Sequence, residues 1–188
     1  MPQRYFDLSD DVYVPGRWHL RTPIGEAGQE VDPWQFTEGH PVELSGRLKL
    51  AFRVVGRPLD FTLAGLDIPI VHVKLASIFQ ELAPNDVQLL PVDIEGLPEQ
   101  FCILIATRLL PCIDEKASGE VRHWKPENGR PEKVGQYRVV SGMRIDPSKV
   151  GDAKVFRTWG WTVALIVSEE IKEALERVEA TGVKFKEV

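Results

Sequence analysis

Four carboxylates beside the most apolar part of the chain are the residues best placed for chemistry. Asp93 and Glu95 lie two positions apart, so they share one face if a strand extends that far. Asp114 and Glu115 are adjacent, at the end of the next apolar segment. Paired carboxyl groups at a suitable separation act as acid and base in glycosidase-like hydrolysis. A solvated strand end is the simpler interpretation, and the sequence favours it.

Nucleophilic chemistry finds little support in the sequence. Cys102 lies among Phe101, Ile103 and Leu104, and apolar surroundings raise the pKa of a thiol and so lower its reactivity. We expect Cys102 and Cys112 to be buried free thiols, with a disulfide as the alternative. Neither a G-x-S-x-G elbow nor a phosphate-binding G-x-x-x-x-G-K motif occurs.

Metal and cofactor sites are not indicated either. The four histidines share no ligand spacing with one another or with the two cysteines. His72 precedes a helical pattern, so we expect it to be a partly buried hydrogen-bonding residue. The sequence therefore predicts no metal and no cofactor.

A central hairpin is the element expected to position the carboxylates. Val87–Ile94 and Phe101–Ala106 are two β-rich runs, and the Gly-Pro-containing residues 95–99 between them suit a turn. We expect the hairpin to span about residues 87–113. The predicted fold class is α+β, with a mainly antiparallel sheet packed by two helices.

The two helices are predicted at about residues 72–83 and 168–180. Leu75, Ile78, Phe79 and Leu82 form the apolar stripe of the first. Ser168 is the expected N-cap of the second, and Gly182 the expected left-handed residue after its end. Its buried stripe is predicted from three residues of the sequence, Ile171, Leu175 and Val178.

A single domain covering residues 1–188 is expected from the length. Residues 1–60 are rich in turn formers and tryptophan, and residues 61–188 are expected to form the core sheet and helices. We expect Trp34 and Phe36 to help anchor the N-terminal part by burial.

Charge and hydropathy limit the partners. A net charge of −5 argues against a nucleic-acid binder and favours a basic protein partner. No apolar stretch approaches the roughly eighteen residues that span a bilayer. The first residues carry charges where a secretory signal would be apolar, so we expect a cytoplasmic protein.

Two surfaces are candidate partner contacts. Residues 115–136 form the longest polar segment and are predicted to be a surface loop carrying Arg122, His123 and Trp124 next to Asp114 and Glu115. The second helix presents an acidic face that is either solvated or a docking surface, formed by Glu169, Glu173, Glu176 and Glu179.

The order of several short motifs resembles the immunity-protein family known as DUF1629 or Imm11-type. The matching pieces run from one end of the chain to the other: Arg4-Tyr5-Phe6, Asp32-Pro33-Trp34, Pro58-Leu59-Asp60-Phe61, residues 82–88, Pro91-Val92, Cys112-Ile113-Asp114-Glu115 with Ser118, Val155-Phe156-Arg157, residues 166–169 with Leu175, and residues 181–185. One departure is Val71-His72-Val73 at the first helix, where the family tends towards serine, and this bears on helix capping.

The resemblance implies a protein that binds and neutralises a cognate toxin, usually encoded nearby, in competition between bacteria. It brings no catalytic motif, and so implies no enzyme. Two alternatives stay open on the residues alone. One is an enzyme that uses the four carboxylates. The other is a ligand-binding or scaffold module built on Trp18 or Trp34.

Overall fold

The computed structural model describes residues 2–188, and in that range two α-helices accompany a mostly β structure. The helices are α1 (Val73–Leu82) and α2 (Glu169–Arg177). The strands of the first half are β1 (Tyr5–Asp10), β2 (His19–Leu20), β3 (Ile24–Gly25), β4 (Leu48–Leu50), β5 (Phe52–Val54), β6 (Phe61–Ala64), β7 (Ile68–His72) and β8 (Val87–Ile94). Those of the second half are β9 (Phe101–Ala106), β10 (Leu109–Leu110), β11 (Glu120–His123), β12 (Tyr137–Ser141), β13 (Val155–Thr158), β14 (Trp161–Ser168) and β15 (Val183–Glu187).

The strands divide into two large sheets and two small ribbons. One sheet has the order β3-β4-β8-β9-β7-β6, and the other has the order β10-β13-β14-β1-β15. The ribbons pair β2 with β5 and β11 with β12. Most pairings are antiparallel, and the exceptions are β4 with β8 and β10 with β13. The predicted α+β class is confirmed. The sequence predicted a single sheet, and the division into two large sheets is a finding of the structure.

The predicted hairpin of β8 and β9 occupies the centre of the six-stranded sheet. Leu90 pairs with Ile103 and Val92 with Phe101, in antiparallel register. The hairpin ends at Ala106, earlier than predicted, because residues 107–113 cross to the other sheet, where β10 pairs with β13.

Both faces of β9 are buried, which explains its unbroken apolar sequence. Phe101, Ile103 and Ile105 pack in a cluster with Trp18 from the N-terminal part. Leu104 and Ala106 point to the opposite face and join the central cluster.

The central cluster contains residues from both sheets and both helices. Its fully or nearly fully buried members include Phe6, Leu8, Phe61, Val71, Leu75, Phe79, Leu104, Val155, Leu165, Val167, Ile171 and Leu175. A third cluster lies on the other face of the five-stranded sheet and includes Tyr5, Cys112, Phe156 and Ile166. The large sheets are therefore covered on both faces.

Asp86 joins the two large sheets at the start of β8. Its carboxylate accepts hydrogen bonds from the backbone N–H groups of Lys154, at 2.7 Å, and Val155, at 3.3 Å. Arg108 lies 3.3 Å from the same carboxylate. The side chain is nearly buried, and these three donors satisfy it there.

The predicted Ser168 cap of α2 is confirmed and a histidine caps α1, but α2 ends earlier than predicted. His72 Nδ1 accepts the Lys74 N–H at 3.1 Å, and Ser168 Oγ accepts the Ile171 N–H at 3.4 Å. The predicted left-handed role of Gly182 at the end of α2 is wrong, because the helix stops at Arg177 and Glu179 adopts φ 51° instead.

Two predictions of burial are also wrong. Val178 lies beyond the last turn of α2 and is 43% exposed. Trp34 is 58% exposed, whereas Phe36, two residues on in the same short 3-10 helix (Pro33–Phe36), is fully buried. Phe36 is therefore the aromatic residue that anchors this segment by burial.

Gly182 has a different structural role from the predicted one. Its φ is +86°, and a Cβ at this position would collide with the Phe61 carbonyl oxygen. Only glycine allows the chain to pass so close to β6 in this conformation.

Candidate functional site

The polar segment predicted as a loop is a folded arm, which we define as residues 114–144. It contains the antiparallel β11–β12 ribbon and two short 3-10 helices, Pro126–Asn128 and Pro131–Lys133. The prediction of an irregular surface loop is therefore wrong for β11, because Glu120 to His123 pair with β12. The ribbon forms a sheet of its own.

Asp114 holds the turn at the base of the arm. Its Oδ1 accepts the backbone N–H groups of Lys116 and Ala117, both at 3.0 Å. Its own N–H donates to the Arg144 carbonyl at 2.8 Å. This carboxylate is engaged in local structure and leaves little capacity for chemistry.

Glu115, His123 and Tyr137 form a hydrogen-bonded cluster across the arm. Glu115 Oε1 accepts the Tyr137 hydroxyl at 2.9 Å and lies 3.1 Å from His123 Nε2. The His123 and Tyr137 rings lie 4.9 Å apart between centroids. Burial and the hydrogen bond to Glu115 raise the pKa of Tyr137 to about 12, so its hydroxyl stays a donor at neutral pH.

Trp124 contacts two cations through its ring. Lys133 Nζ and the guanidinium carbon of Arg138 are each 5.4 Å from its ring centroid. Such contacts contribute about 0.5–1 kcal/mol each at exposed sites. The indole is thereby fixed on the arm. Arg122 is exposed and pairs with Glu120 at 2.6 Å.

A polar groove of about 440 Å³ runs along the arm. Its lining is mostly basic and comprises Val121, Arg122, His123, Lys125, Glu127, Asn128 and Arg138. The groove thus brings two of the predicted contact residues, Arg122 and His123, together with Lys125 and Arg138. Trp124 contacts Arg138 and Lys133 but does not line the groove.

The acidic face of α2 is a separate surface. Glu169 forms an ion pair with Arg4, and Glu176 pairs with Lys172 at 2.8 Å. Glu173 is exposed. Two of the three predicted contact residues on this face are therefore already neutralised by neighbours.

The four carboxylates considered for catalysis do not share one site. Asp93 and Glu95 line a groove of about 440 Å³ with Lys49, and Asp93 pairs with Arg47 at 2.9 Å. Neither Asp114 nor Glu115 lines that groove. Of the four carboxylates, only Asp93 and Glu95 therefore share a groove.

The cysteines are unpaired thiols, as predicted. Burial raises the pKa of Cys112 to about 12 and also raises that of the half-buried Cys102. Trp18 is fully buried against Phe52 and Phe101, so it offers no open aromatic pocket to a ligand.

Arg157 is the most deeply buried charge. Its Nη1 donates to the carbonyls of Thr162, at 3.1 Å, and Val163, at 3.3 Å, while Nε and Nη2 have no acceptor among residues 2–188. Burial lowers its pKa to about 10 and raises that of Asp7 nearby. The unpaired nitrogens are closed to solvent, so they offer no binding site in this conformation.

Sequence reasoning missed Lys125, Lys133 and Arg138 because their convergence depends on the ribbon. Arg122 pairs with Val139, next to Arg138, and a register shift follows at His123. No local pattern encodes that register.

In residues 2–188 no group of three His, Cys, Asp or Glu side chains is arranged to hold a metal, and no helix is long and apolar enough to cross a membrane.

Comparison with known proteins gives one match. A family model described as "Immunity protein family (Imm11)" matches residues 1–188, which is the whole chain. No similar curated protein was found. The match includes the sequence of both sheets, both helices and the arm.

Proposed function

Because this chain belongs to the Imm11 immunity protein family, we propose that it binds a bacterial toxin and neutralises it. The family match over the whole chain is the observation that carries the proposal. The protein acts by stoichiometric binding in the cytoplasm, without catalysis, and protects the producing cell and its kin. The toxin is the product of an adjacent gene.

Inhibition by binding requires complementarity of shape and charge rather than a reactive group. Stable inhibitory complexes typically bury about 1,600 Å² in total. Two surfaces are candidates for the contact. One is the arm, through Asp114, Glu115, Arg122, His123 and Trp124. The other is the acidic face of α2, formed by Glu169, Glu173 and Glu176.

The arm is the stronger candidate because it is rigid and carries residue types that dominate binding energy. Tryptophan and arginine are enriched at the centres of interfaces. The cations beside Trp124 and the hydrogen bonds to Glu115 hold the arm in place before any partner arrives. Such preorganisation lowers the entropic cost of binding.

Co-expression with the product of the adjacent gene tests the proposed function. We expect that product to stop growth when expressed alone, and this protein to restore growth. The two should also co-purify in a 1:1 complex. A product that is harmless alone, or that forms no complex with this protein, would refute the proposal.

Trp124→Ala tests whether the toxin contacts the arm. We expect toxin affinity to fall by about 2 kcal/mol, or roughly 30-fold, because an interface anchor is lost. Calorimetric titration of the purified toxin measures the change. Trp34→Ala is the matched control, since Trp34 is an exposed tryptophan outside the arm and its loss should leave affinity unchanged. Equal losses in the two variants would contradict a contact centred on the arm.

A further inference from the structure

The arm carries a charge opposite to that of the whole protein. Residues 114–144 contain seven Lys and Arg residues against five Asp and Glu, whereas the whole chain has 23 Lys and Arg against 28 Asp and Glu. Positive charge is thus concentrated on one exposed ribbon. A protein partner that binds this ribbon contacts a positively charged surface, whereas the rest of the molecule carries net negative charge.

Lys125, Lys133 and Arg138 are cations of the arm that have no carboxylate partner among residues 2–188. In residues 2–188 no Asp or Glu oxygen lies within 4.0 Å of the charged nitrogens of Lys125, Lys133 or Arg138. Three of the nearby acids form contacts of their own: Glu120 with Arg122, Glu132 with Arg130, and Glu115 with His123 and Tyr137.

Two of these three unpaired cations line the polar groove of the arm. Lys125 and Arg138 line the groove of about 440 Å³, and Glu127 is the one acid in its lining. Trp124 contacts both Arg138 and Lys133 through cation–π interactions. A guanidinium presents several N–H donors in a fork that matches a carboxylate. The groove therefore presents Lys125 and Arg138 as cations, and its one acid, Glu127, does not pair with either of them.

We propose that this groove binds an acidic segment of the toxin, with Lys125 and Arg138 pairing with its Asp or Glu side chains. The inference rests on the proposed function and identifies the chemistry of the partner's contact surface. The net charge alone predicts a basic partner surface, whereas this groove predicts an acidic one.

A protein segment fits better than a nucleic acid. A nucleic acid carries regularly spaced charges over a length that would extend from the arm onto the acidic remainder of the protein. A short acidic segment can end within the groove. Nucleic-acid binding is accordingly an outcome that the test must distinguish.

The test is charge reversal in the groove. The double variant Lys125→Glu/Arg138→Glu is compared with Lys184→Glu/Lys186→Glu, which reverses two exposed charges on β15. We expect the groove variant to bind the toxin at least about 100-fold more weakly, and the control to change less than about threefold. Raising the salt concentration should weaken wild-type binding and have little effect on the groove variant. Circular dichroism verifies that both variants are folded.

The outcomes separate the two proposals. If the wild-type protein neither binds the adjacent gene product nor protects against it, the proposed function fails. If the wild type binds but the groove variant binds equally well, or loses no more than the control, the toxin does not use this groove and the inference fails alone. Binding of a single-stranded DNA oligonucleotide that the groove variant loses, with toxin binding intact, would also overturn it.

Discussion

Asp60 shows at the scale of one residue how distant segments are joined. Its carboxylate accepts the Thr181 N–H at 2.9 Å and lies 2.9 Å from Lys74 Nζ. Its own N–H donates to Thr181 Oγ1 at 2.9 Å. Burial acts to raise the pKa of Asp60, but the hydrogen bonds from Thr181 and Lys74 outweigh it and lower that pKa.

Asp60→Asn is expected to reduce the free energy of unfolding by about 2 kcal/mol at pH 7, since charge-assisted hydrogen bonds are lost. Because the folded pKa lies below the unfolded value of about 3.9, this contribution is present above pH 4 and is lost as the pH falls through the folded pKa. Urea unfolding of both proteins from pH 7 to pH 2 should show the difference closing only in acid.

Asp152→Asn is the control for that measurement. The Asp152 side chain is 92% exposed, and its pairing with Arg108 at 3.3 Å should add little to stability. A difference between wild type and Asp60→Asn that is constant with pH would contradict the role given to the Asp60 charge.

Single residues were predictable where the reason is local. The cap at Ser168 and the low reactivity of Cys102 follow from neighbours in the chain. Gly182 was placed correctly as a left-handed residue but given the wrong role, because its contact with Phe61 lies more than a hundred residues away in sequence. Trp18 and Trp34 have similar turn-rich surroundings, yet one is fully buried and the other exposed.

At the scale of elements, α1 shows how a histidine replaces the usual cap. The Nδ1 atom of His72 accepts the Lys74 N–H, and its ring packs edge-on against Phe101 at 5.2 Å between centroids. The departure from serine in the Imm11-like pattern therefore leaves the helix capped.

His72→Ala should destabilise the protein, and His72→Ser should destabilise it less, by about 1 kcal/mol. Both variants lose the contact with Phe101, so the difference between them isolates the cap. Thermal unfolding monitored by circular dichroism at 222 nm measures it. Equal midpoints for the two variants would mean that the cap contributes nothing.

The hairpin of β8 and β9 was the most predictable element because its strands are long, apolar and adjacent in sequence. The arm ribbon was the least predictable, since β11 is polar on both faces and its strands are joined through two short 3-10 helices. Whether the four carboxylates share one site likewise depends on the sheet to which each belongs. Local sequence patterns do not contain that information. The candidate site was therefore predicted as a list of residues and not as a groove.

At the scale of the whole molecule, the central cluster argues for one cooperative unit. It contains residues of both large sheets and both helices, and Asp86 links the sheets by hydrogen bonds. The N-terminal part contributes strands to each sheet, β1 to one and β3 and β4 to the other. We therefore propose that the chain is a single domain.

A single domain predicts a single unfolding transition. Far-ultraviolet circular dichroism reports the backbone, and near-ultraviolet circular dichroism reports the packed aromatic rings. The two midpoints should coincide in urea, and Asp86→Asn should lower both together. Two resolved transitions, or a shift in only one signal, would indicate separate domains.

The position of β1 has a consequence for the time at which protection can begin. This strand lies between β14 and β15, with Tyr5 opposite Ser168 and Asp10 opposite Val183. During synthesis β1 thus precedes both of its partners and waits for β15 before its sheet is complete. Sheets closed by such distant segments fold on the order of milliseconds to seconds, which stopped-flow refolding can measure. Under the proposed function, a cell must finish making and folding this protein before the toxin reaches its target.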